Sequence, residues 1–320
     1  MINMKNFLFI TFLLFSKFIY CQSNKELHSI KPKWKLGDIK KVHTESFTKV
    51  FIKDSLFNNT EAKSNYTINV IDTNKNYTLS YSIEPNSLDV KTNSSISKLD
   101  SVVNILTNMI KNIEKETKSF QYEILVDKNT GQAFKVKNTD KLLKLVEKAT
   151  AKMIDEFGDK LGKTSTQIDS IKQKVVSYFK LKEPKILETL INEFNYIMGA
   201  YSLTFSYSSS ISQKAMVHDV NALGEFGDIE MPAIITTSSK KTDKSLTIQT
   251  DTDYDKDFLL KQIKKKYKNM NELTTSDIFL SEKAEATFTI TKNWIVSQKS
   301  TVIFKTKEVK VINETQISFQ

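Results

Sequence analysis

The spacing of apolar residues changes twice along this 320-residue chain. Segments near both ends alternate apolar and polar positions, which is the pattern of β-strands with one buried face. The middle places apolar residues three or four positions apart, as amphipathic helices do. We therefore predict an α+β fold class. A large, curved antiparallel β-sheet is built from the N- and C-terminal segments, and a central helical insert packs on one face.

The predicted strands fall into two groups. The N-terminal group contains one long strand and two hairpins, at residues 34–52, 65–74 with 76–83, and 122–126 with 132–136. The C-terminal group contains six segments, of which the last two are long, at residues 204–207, 233–237, 245–250, 284–291, 295–306 and 308–319. Strands from both groups are expected to meet in one sheet.

Helical spacing first appears after Ser97, a plausible N-cap, and continues from Leu99 to Ile113. Three further helices are predicted between about residues 138 and 200. The first carries an apolar stripe from Leu142 to Phe157, the second begins its stripe at Ile168, and Pro184 is expected to open the third. A short basic amphipathic helix is predicted at about residues 255–268.

The first 21 residues are typical of a secretory signal peptide. Lys5 gives a positive start, and the apolar run at 7–15 is too short to span a membrane, which takes about 20 residues. A buried N-terminal helix or strand is the alternative. Lipidation at Cys21 is another, disfavoured because bulky Tyr20 stands where a small residue is wanted. The predicted organisation is a signal peptide at 1–21 and a single α+β domain at 22–320, exported to the periplasm, the cell surface or the medium.

Composition limits the chemistry. Cys21 is the only cysteine, so a chain cleaved after it has no thiol nucleophile, thiolate metal site or redox couple. The net charge is +10, but all 47 basic residues are Lys, and the absence of Arg argues against nucleic-acid recognition. The charge is spread along the chain, which favours solubility as its role. No segment after residue 21 is apolar over about 20 residues, so no transmembrane helix is predicted there.

No residue group in the sequence predicts a catalytic residue, a metal site or a cofactor. The acidic stretches at 251–257, 72–76 and 127–131 are better interpreted as a helix N-terminus and two hairpin turns. The histidines are His28, His43 and His218, and the pair His218–Asp219 lacks the further histidines that a metal-dependent phosphohydrolase needs. The basic run at 261–268 is interpreted as a solvated helix face buried through Phe258, Leu259 and Ile263, with membrane or acidic-partner binding as the alternative.

Three short motifs occur together: Trp34-Lys-Leu-Gly37-Asp38, the segment 122–131 with Asp127 and Gly131, and Asn293-Trp294-Ile295-Val296-Ser297 before the long terminal strands. The arrangement resembles a family of uncharacterised exported proteins of Gram-negative, flavobacteria-like bacteria. The resemblance implies a curved antiparallel sheet with helices on one side and an exported location, and it carries over no site residue.

Three functions remain open from the sequence. The preferred one is a non-enzymatic binder of a lipid, a peptide or another hydrophobic ligand, for which the 20 Phe residues and the long terminal strands are the motive. The first alternative is a secreted hydrolase with a dispersed acid–base or serine site. The second is a cell-surface interaction protein with another envelope protein as partner, which would expose an apolar patch. A cavity in the fold, and the side chains that line it, would discriminate between them.

Overall fold

A computed structural model of the chain describes residues 26–84, 89–94, 121–141, 144–145, 147–148, 151, 154–155, 164–217, 230–266 and 272–320. Three features of the sequence lie outside these residues: the predicted signal peptide at 1–21 with Cys21, the predicted helix beginning at Leu99, and the pair His218–Asp219. The single-domain boundary at 22–320 stays a prediction.

About half of the described residues form one antiparallel sheet. It contains twelve strands, eleven of them in the order β7-β6-β4-β3-β2-β14-β13-β12-β11-β10-β9, while β5 also pairs with β3. The strands are β2 Ile39–Ile52, β3 Ser55–Asp72, β4 Tyr77–Ile83, β5 Asp89–Ser94, β6 Tyr122–Val126, β7 Ala133–Val136, β9 Ile211–Val217, β10 Met231–Lys241, β11 Ser245–Tyr254, β12 Phe279–Thr289, β13 Ile295–Lys305 and β14 Val309–Phe319. Two short strands, β1 His28–Ser29 and β8 Thr204–Phe205, pair separately.

Strands from the two ends of the chain pair directly. β14 lies against β2 over the whole of its length, from Val309 opposite Ile52 to Phe319 opposite Val42. The prediction that N- and C-terminal strands meet in one antiparallel sheet is therefore confirmed.

The hairpin of β2 and β3 differs from the prediction. β3 begins at Ser55, well before the predicted start at residue 65, and reaches β2 through a two-residue turn. Lys53 and Asp54 form this turn with φ values of 49° and 61°, the left-handed pair that a type I′ hairpin turn requires. Neither residue is the Asn or Gly that usually marks such a turn, which is why the pattern did not show it.

Two long helical segments are described: α1 Ser165–Ile197 and α2 Lys256–Lys266. Short 3₁₀ turns at Gly199–Ser202 and Thr275–Asp277 accompany them, and helical backbone also occurs between residues 139 and 155. The prediction that a new helix opens at Pro184 is wrong, because α1 runs through it for 33 residues. Pro184 is solvent-exposed, so water can satisfy the carbonyl group that the missing N–H leaves free.

Two hydrophobic clusters lie on the same face of the sheet, which we call the covered face. Every second residue of β11 from Leu246 to Tyr254 is buried, and successive side chains of a strand point to opposite faces. Leu246 and Ile248 belong to the first cluster, which also contains Phe194, Ile197 and Met198 at the end of α1. Tyr254 belongs to the second cluster, which contains Leu259 and Ile263 of α2. The end of α1 and all of α2 therefore cover neighbouring areas of one face.

Candidate functional site

A cavity of about 270 Å³ lies between the two clusters, and we call it the central cavity. The end of α1 and the following turn form its roof through Tyr196, Gly199, Ala200 and Leu203. Strands β9 to β14 contribute the rest of its lining: Val217, Ile235, Thr250, Thr252, Glu282, Ala284, Glu285, Ala286, Gln298, Lys299, Ser300, Thr315 and Ile317. The covered face thus leaves a space where the two helical covers do not meet.

Small side chains in register explain why the space is there. Thr250, Ala284, Ser300 and Thr315 stand opposite one another in a row that crosses four strands. Each of these side chains is shorter than Ile248, Gln298 and Ile317, which stand in the next row on the same face. Since protein interiors otherwise pack closely, a row of such residues beneath a helix end leaves a cavity.

The lining is apolar with a small number of polar groups. Thr250 and Thr252 are buried in the floor, with exposed fractions of 9% and 8%. Gln298 donates from Nε2 to the carbonyl oxygen of Ile197 and so fixes the end of α1 against the sheet. Apolar walls with a few placed polar groups are the usual composition of a small-molecule site.

Glu282 is the acidic side chain that the covered face presents to the cavity. Its Oε2 accepts a hydrogen bond from the hydroxyl of Tyr254. Burial raises the pKa of Tyr254, and the nearby charge of Glu282 raises it further, so this hydroxyl stays protonated and donates to the carboxylate.

Two other charged residues border the cavity without belonging to this face. Glu285 and Lys299 stand opposite each other on β12 and β13, and each follows or precedes a floor residue by one position. Strand alternation directs their side chains to the opposite face of the sheet. There the Glu285 carboxylate accepts a hydrogen bond of 2.8 Å from Nε2 of Gln249.

A second group of titratable side chains lies beneath α1, outside the cavity lining. The hydroxyls of Tyr66 and Tyr81 donate to Oε1 of Glu193 over 3.2 and 3.4 Å. Burial raises the pKa of Glu193, although the two hydrogen bonds oppose that effect. Burial and the charge of Glu193 raise the pKa of Tyr66 to about 12. Tyrosines that stay neutral around a poorly solvated carboxyl make this group a polar anchor between helix and sheet.

The two described histidines lie outside the cavity lining and contact other side chains. His43 contacts Asn65 Oδ1 at 2.6 Å and Glu45 Oε1 at 3.2 Å, on the face opposite the cavity. His28 packs beside Phe205 and Tyr207. Within the described ranges, no three or more His, Cys, Asp or Glu side chains are grouped to hold a metal ion.

The structural interpretations of the acidic stretches are confirmed. Asp255 accepts from the backbone N–H of Phe258 at the start of α2, over 2.9 Å. Asp127 accepts from the N–H groups of Asn129 and Thr130 in the β6–β7 turn, and Asp72 accepts from the N–H of Asn74 in the β3–β4 turn. The interpretation of the basic run is confirmed in part, since Leu259 and Ile263 are buried.

Sequence reasoning missed the residues that line the cavity. One signal was available: Ala284 and Ala286 alternate along β12, although Ala is uncommon in strands. Small residues at positions where a strand is expected to bury large ones indicate a space or a close neighbour. Which strands bring their own small residues to that row depends on register, which the sequence pattern did not supply.

Comparisons with known proteins leave the family open. No protein-family model matches the chain, and no curated protein matches it. A lipovitellin structure concerned with lipid–protein interactions is similar with a TM-score of 0.40 and 9% identity, over 89% of this chain. The match spans 25% of the lipovitellin chain. A TM-score this low does not establish a common fold. In the part of the chain that the structure describes, no helix combines the length and the apolar composition needed to cross a bilayer.

Proposed function

We propose that this protein binds a small, largely apolar ligand in the central cavity and carries out no reaction on it. The observation that supports the proposal is the cavity itself, an unfilled space between two hydrophobic clusters on one sheet face. Covering apolar walls with a ligand removes them from water and stabilises the complex by roughly 25 cal/mol for each Å² of apolar surface.

The volume sets the size of the part of a ligand that the cavity can enclose. A water molecule occupies about 30 Å³ in the liquid, so the cavity of about 270 Å³ has room for a ligand on the order of ten heavy atoms. That is near the lower end of the range for small-molecule sites, about 300–1,000 Å³. A single medium-length alkyl chain with one polar end fits these limits, whereas a whole phospholipid does not.

A hydrolase is the second candidate, because Glu282 and Tyr254 form a titratable pair within hydrogen-bonding reach at the cavity wall. General acid–base catalysis works best when the pKa of the catalytic group lies near the operating pH. The pKa of Tyr254 is raised, which moves it away from that condition. The pair therefore favours binding over proton transfer.

We further infer that residues 1–21 are removed on export and that the protein acts outside the cytoplasm, as the resemblance to exported flavobacteria-like proteins also suggests. Apolar residues at 7–15 after Lys5 support the export proposal. The helical insert predicted at about 138–200 would supply the roof of the site through its end at Tyr196 to Ala200. Intact mass of the protein purified from its host gives the N-terminus and any lipid on Cys21, and native mass spectrometry of the same sample shows a co-purifying ligand.

The binding proposal is tested by filling the cavity. Ala284→Phe places a ring in the middle of the floor, and we expect it to weaken the binding of 1-octanol, a neutral probe of the right size, at least about tenfold by isothermal titration calorimetry. Ala62→Phe is the matched control, because Ala62 lies in the same cross-strand row beyond Thr315 and Ser46 and does not line the cavity.

Equal binding of 1-octanol by wild type and both variants would show that the probe binds elsewhere. No binding by the wild-type protein, together with no co-purifying ligand, would overturn the proposed function.

A further inference from the structure

We propose that the central cavity selects a ligand with a protonated amine, and that the carboxylate of Glu282 is the counter-ion of that amine. This inference rests on the proposed function and names the chemical class of the ligand. It concerns an alkylammonium-type molecule whose apolar part lies under the end of α1.

Glu282 lies at the edge of the cavity floor. It stands opposite Val302 on β13 and Thr252 on β11, so its side chain lies on the covered face beside the cavity floor. It is partly buried between the small-residue row and the second hydrophobic cluster. A carboxylate at such a place is drawn out of water when an apolar ligand covers it.

Among the described residues, Glu282 has a hydrogen-bond donor but no cationic side chain beside it. Tyr254 donates one hydrogen bond to Oε2, which satisfies part of the acceptor capacity of a carboxylate. The ion pairs among the described residues involve other carboxylates, and no Lys of those residues lies within 4.0 Å of Glu282. The charge of this carboxylate therefore has no protein counter-ion in the described part of the chain.

Two threonine hydroxyl groups lie near Glu282 and can accept hydrogen bonds from a ligand. The hydroxyl oxygens of Thr250 and Thr252 lie on the same face as Glu282 and line the same cavity. A primary ammonium carries three N–H donors, so one can bond to the carboxylate while others reach hydroxyl oxygens. Hydrogen bonds between charged partners are shorter and stronger than neutral ones, and a fatty alcohol or acid cannot supply the positive charge.

The positive net charge of the protein disfavours the binding of cations, so a preference for an amine would require a specific site. With a net charge of +10, the protein attracts anions to its surface without any site. Non-specific binding would therefore rank octanoate above octylamine. A preference for octylamine would run against that field and must come from a local negative group.

The test ranks three probes of equal chain length by isothermal titration calorimetry at pH 7: octylamine, which is protonated there as Lys is, 1-octanol and octanoate. We expect octylamine to bind about tenfold or more tightly than 1-octanol, and octanoate to bind weakest. Glu282→Gln should abolish most of that preference while leaving 1-octanol within about threefold, because Gln keeps an acceptor for Tyr254 and loses the charge. Glu314→Gln is the matched control, because Glu314 is exposed on the opposite face of β14 and does not line the cavity, and it should leave all three affinities unchanged.

The outcomes separate the two proposals. If octylamine and 1-octanol bind equally well to the wild-type protein, amine selection is wrong and the apolar cavity still binds a ligand. If octylamine is preferred but Glu314→Gln removes the preference and Glu282→Gln does not, the assignment to Glu282 is wrong. If none of the probes binds, the proposed function fails first. The wild-type ranking is decisive even if Glu282→Gln does not fold.

Discussion

Gly131 lies where any larger residue would strain the backbone and meet the side chain of Tyr201. It has a φ of +66°, in the left-handed region that glycine adopts freely. A Cβ built on it would lie 2.8 Å from both Cβ and Cγ of Tyr201. Tyr201 is itself fixed, because it accepts from Trp34 Nε1 and donates to the carbonyl oxygen of Asn293 over 2.6 Å. The atoms that a side chain at 131 would meet are close to the backbone and cannot swing aside.

Gly131→Ala should therefore lower the free energy of unfolding by about 2–4 kcal/mol, measured by urea denaturation, from the backbone strain and the forced displacement of Tyr201 together. Gly37→Ala is the matched control. Gly37 also has a positive φ, +82°, but a Cβ there meets nothing within 4 Å, so only the backbone penalty of about 1 kcal/mol is expected. Equal losses for the two variants would show that the contact with Tyr201 contributes nothing.

At the scale of elements, α1 is tied to one edge of the sheet by Asn195. Its Oδ1 accepts from the N–H of Ala133 over 2.7 Å, and its Nδ2 donates to the carbonyl oxygen of the same residue over 3.1 Å. Ala133 begins β7, the last strand on that side of the sheet order. The amide of Asn195 thus occupies the two groups of Ala133 that a further strand would bind, and it protects the edge.

Asn195→Ala leaves both of these backbone groups without their partner. We expect a loss of about 1–3 kcal/mol in unfolding free energy, with faster hydrogen exchange at the Ala133 amide as the local readout. Asn192→Ala, an exposed Asn on the same helix, should change stability by less than about 0.5 kcal/mol. Unchanged exchange at Ala133 in the Asn195 variant would contradict the assignment.

Strands that bury only one face could be predicted well from the sequence, because their apolar and polar residues alternate. Strands that are exposed or partly buried on both faces could not. The segments predicted at 295–306 and 308–319 agree closely with β13 and β14, because Val302 and Phe304, or Ile317 and Phe319, alternate with polar residues. The first half of β3 was missed, since residues 55–63 are exposed or partly buried on both faces and show no alternation. The central cavity was beyond reach, because its floor joins strands whose relative register no pattern within one strand reveals.

For the molecule as a whole, β14 is the strand that makes the sheet continuous. It pairs with β13 on one side and β2 on the other, so every residue of it gives its backbone groups to one neighbour or the other. Without β14, the N-terminal strands and the C-terminal strands would form separate sheets. The floor of the cavity ends at the same strand, through Thr315 and Ile317.

A proline substitution should cost more stability in the central strand β14 than in the edge strand β9. Glu314→Pro, in the middle of β14, removes a ladder hydrogen bond at an exposed side chain, and we expect a loss of about 3 kcal/mol or more in urea denaturation. Lys214→Pro is the control on the outermost strand β9. Pro232 accepts from Asp255 toward β11, so alternation directs the N–H of Lys214, which stands opposite Ile234, away from β10. A loss below about 1 kcal/mol is expected there, and an equal loss at both positions would contradict the central role of β14.

The pairing of β2 with β14 also determines when the sheet can form during translation. A ribosome adds about 5–20 residues per second, so β2 waits on the order of tens of seconds after it emerges before its neighbour β14 exists. During that interval one side of a fourteen-residue strand has no partner from its own chain. The growing polypeptide cannot close its sheet early, which keeps it open to chaperones for nearly the whole of translation.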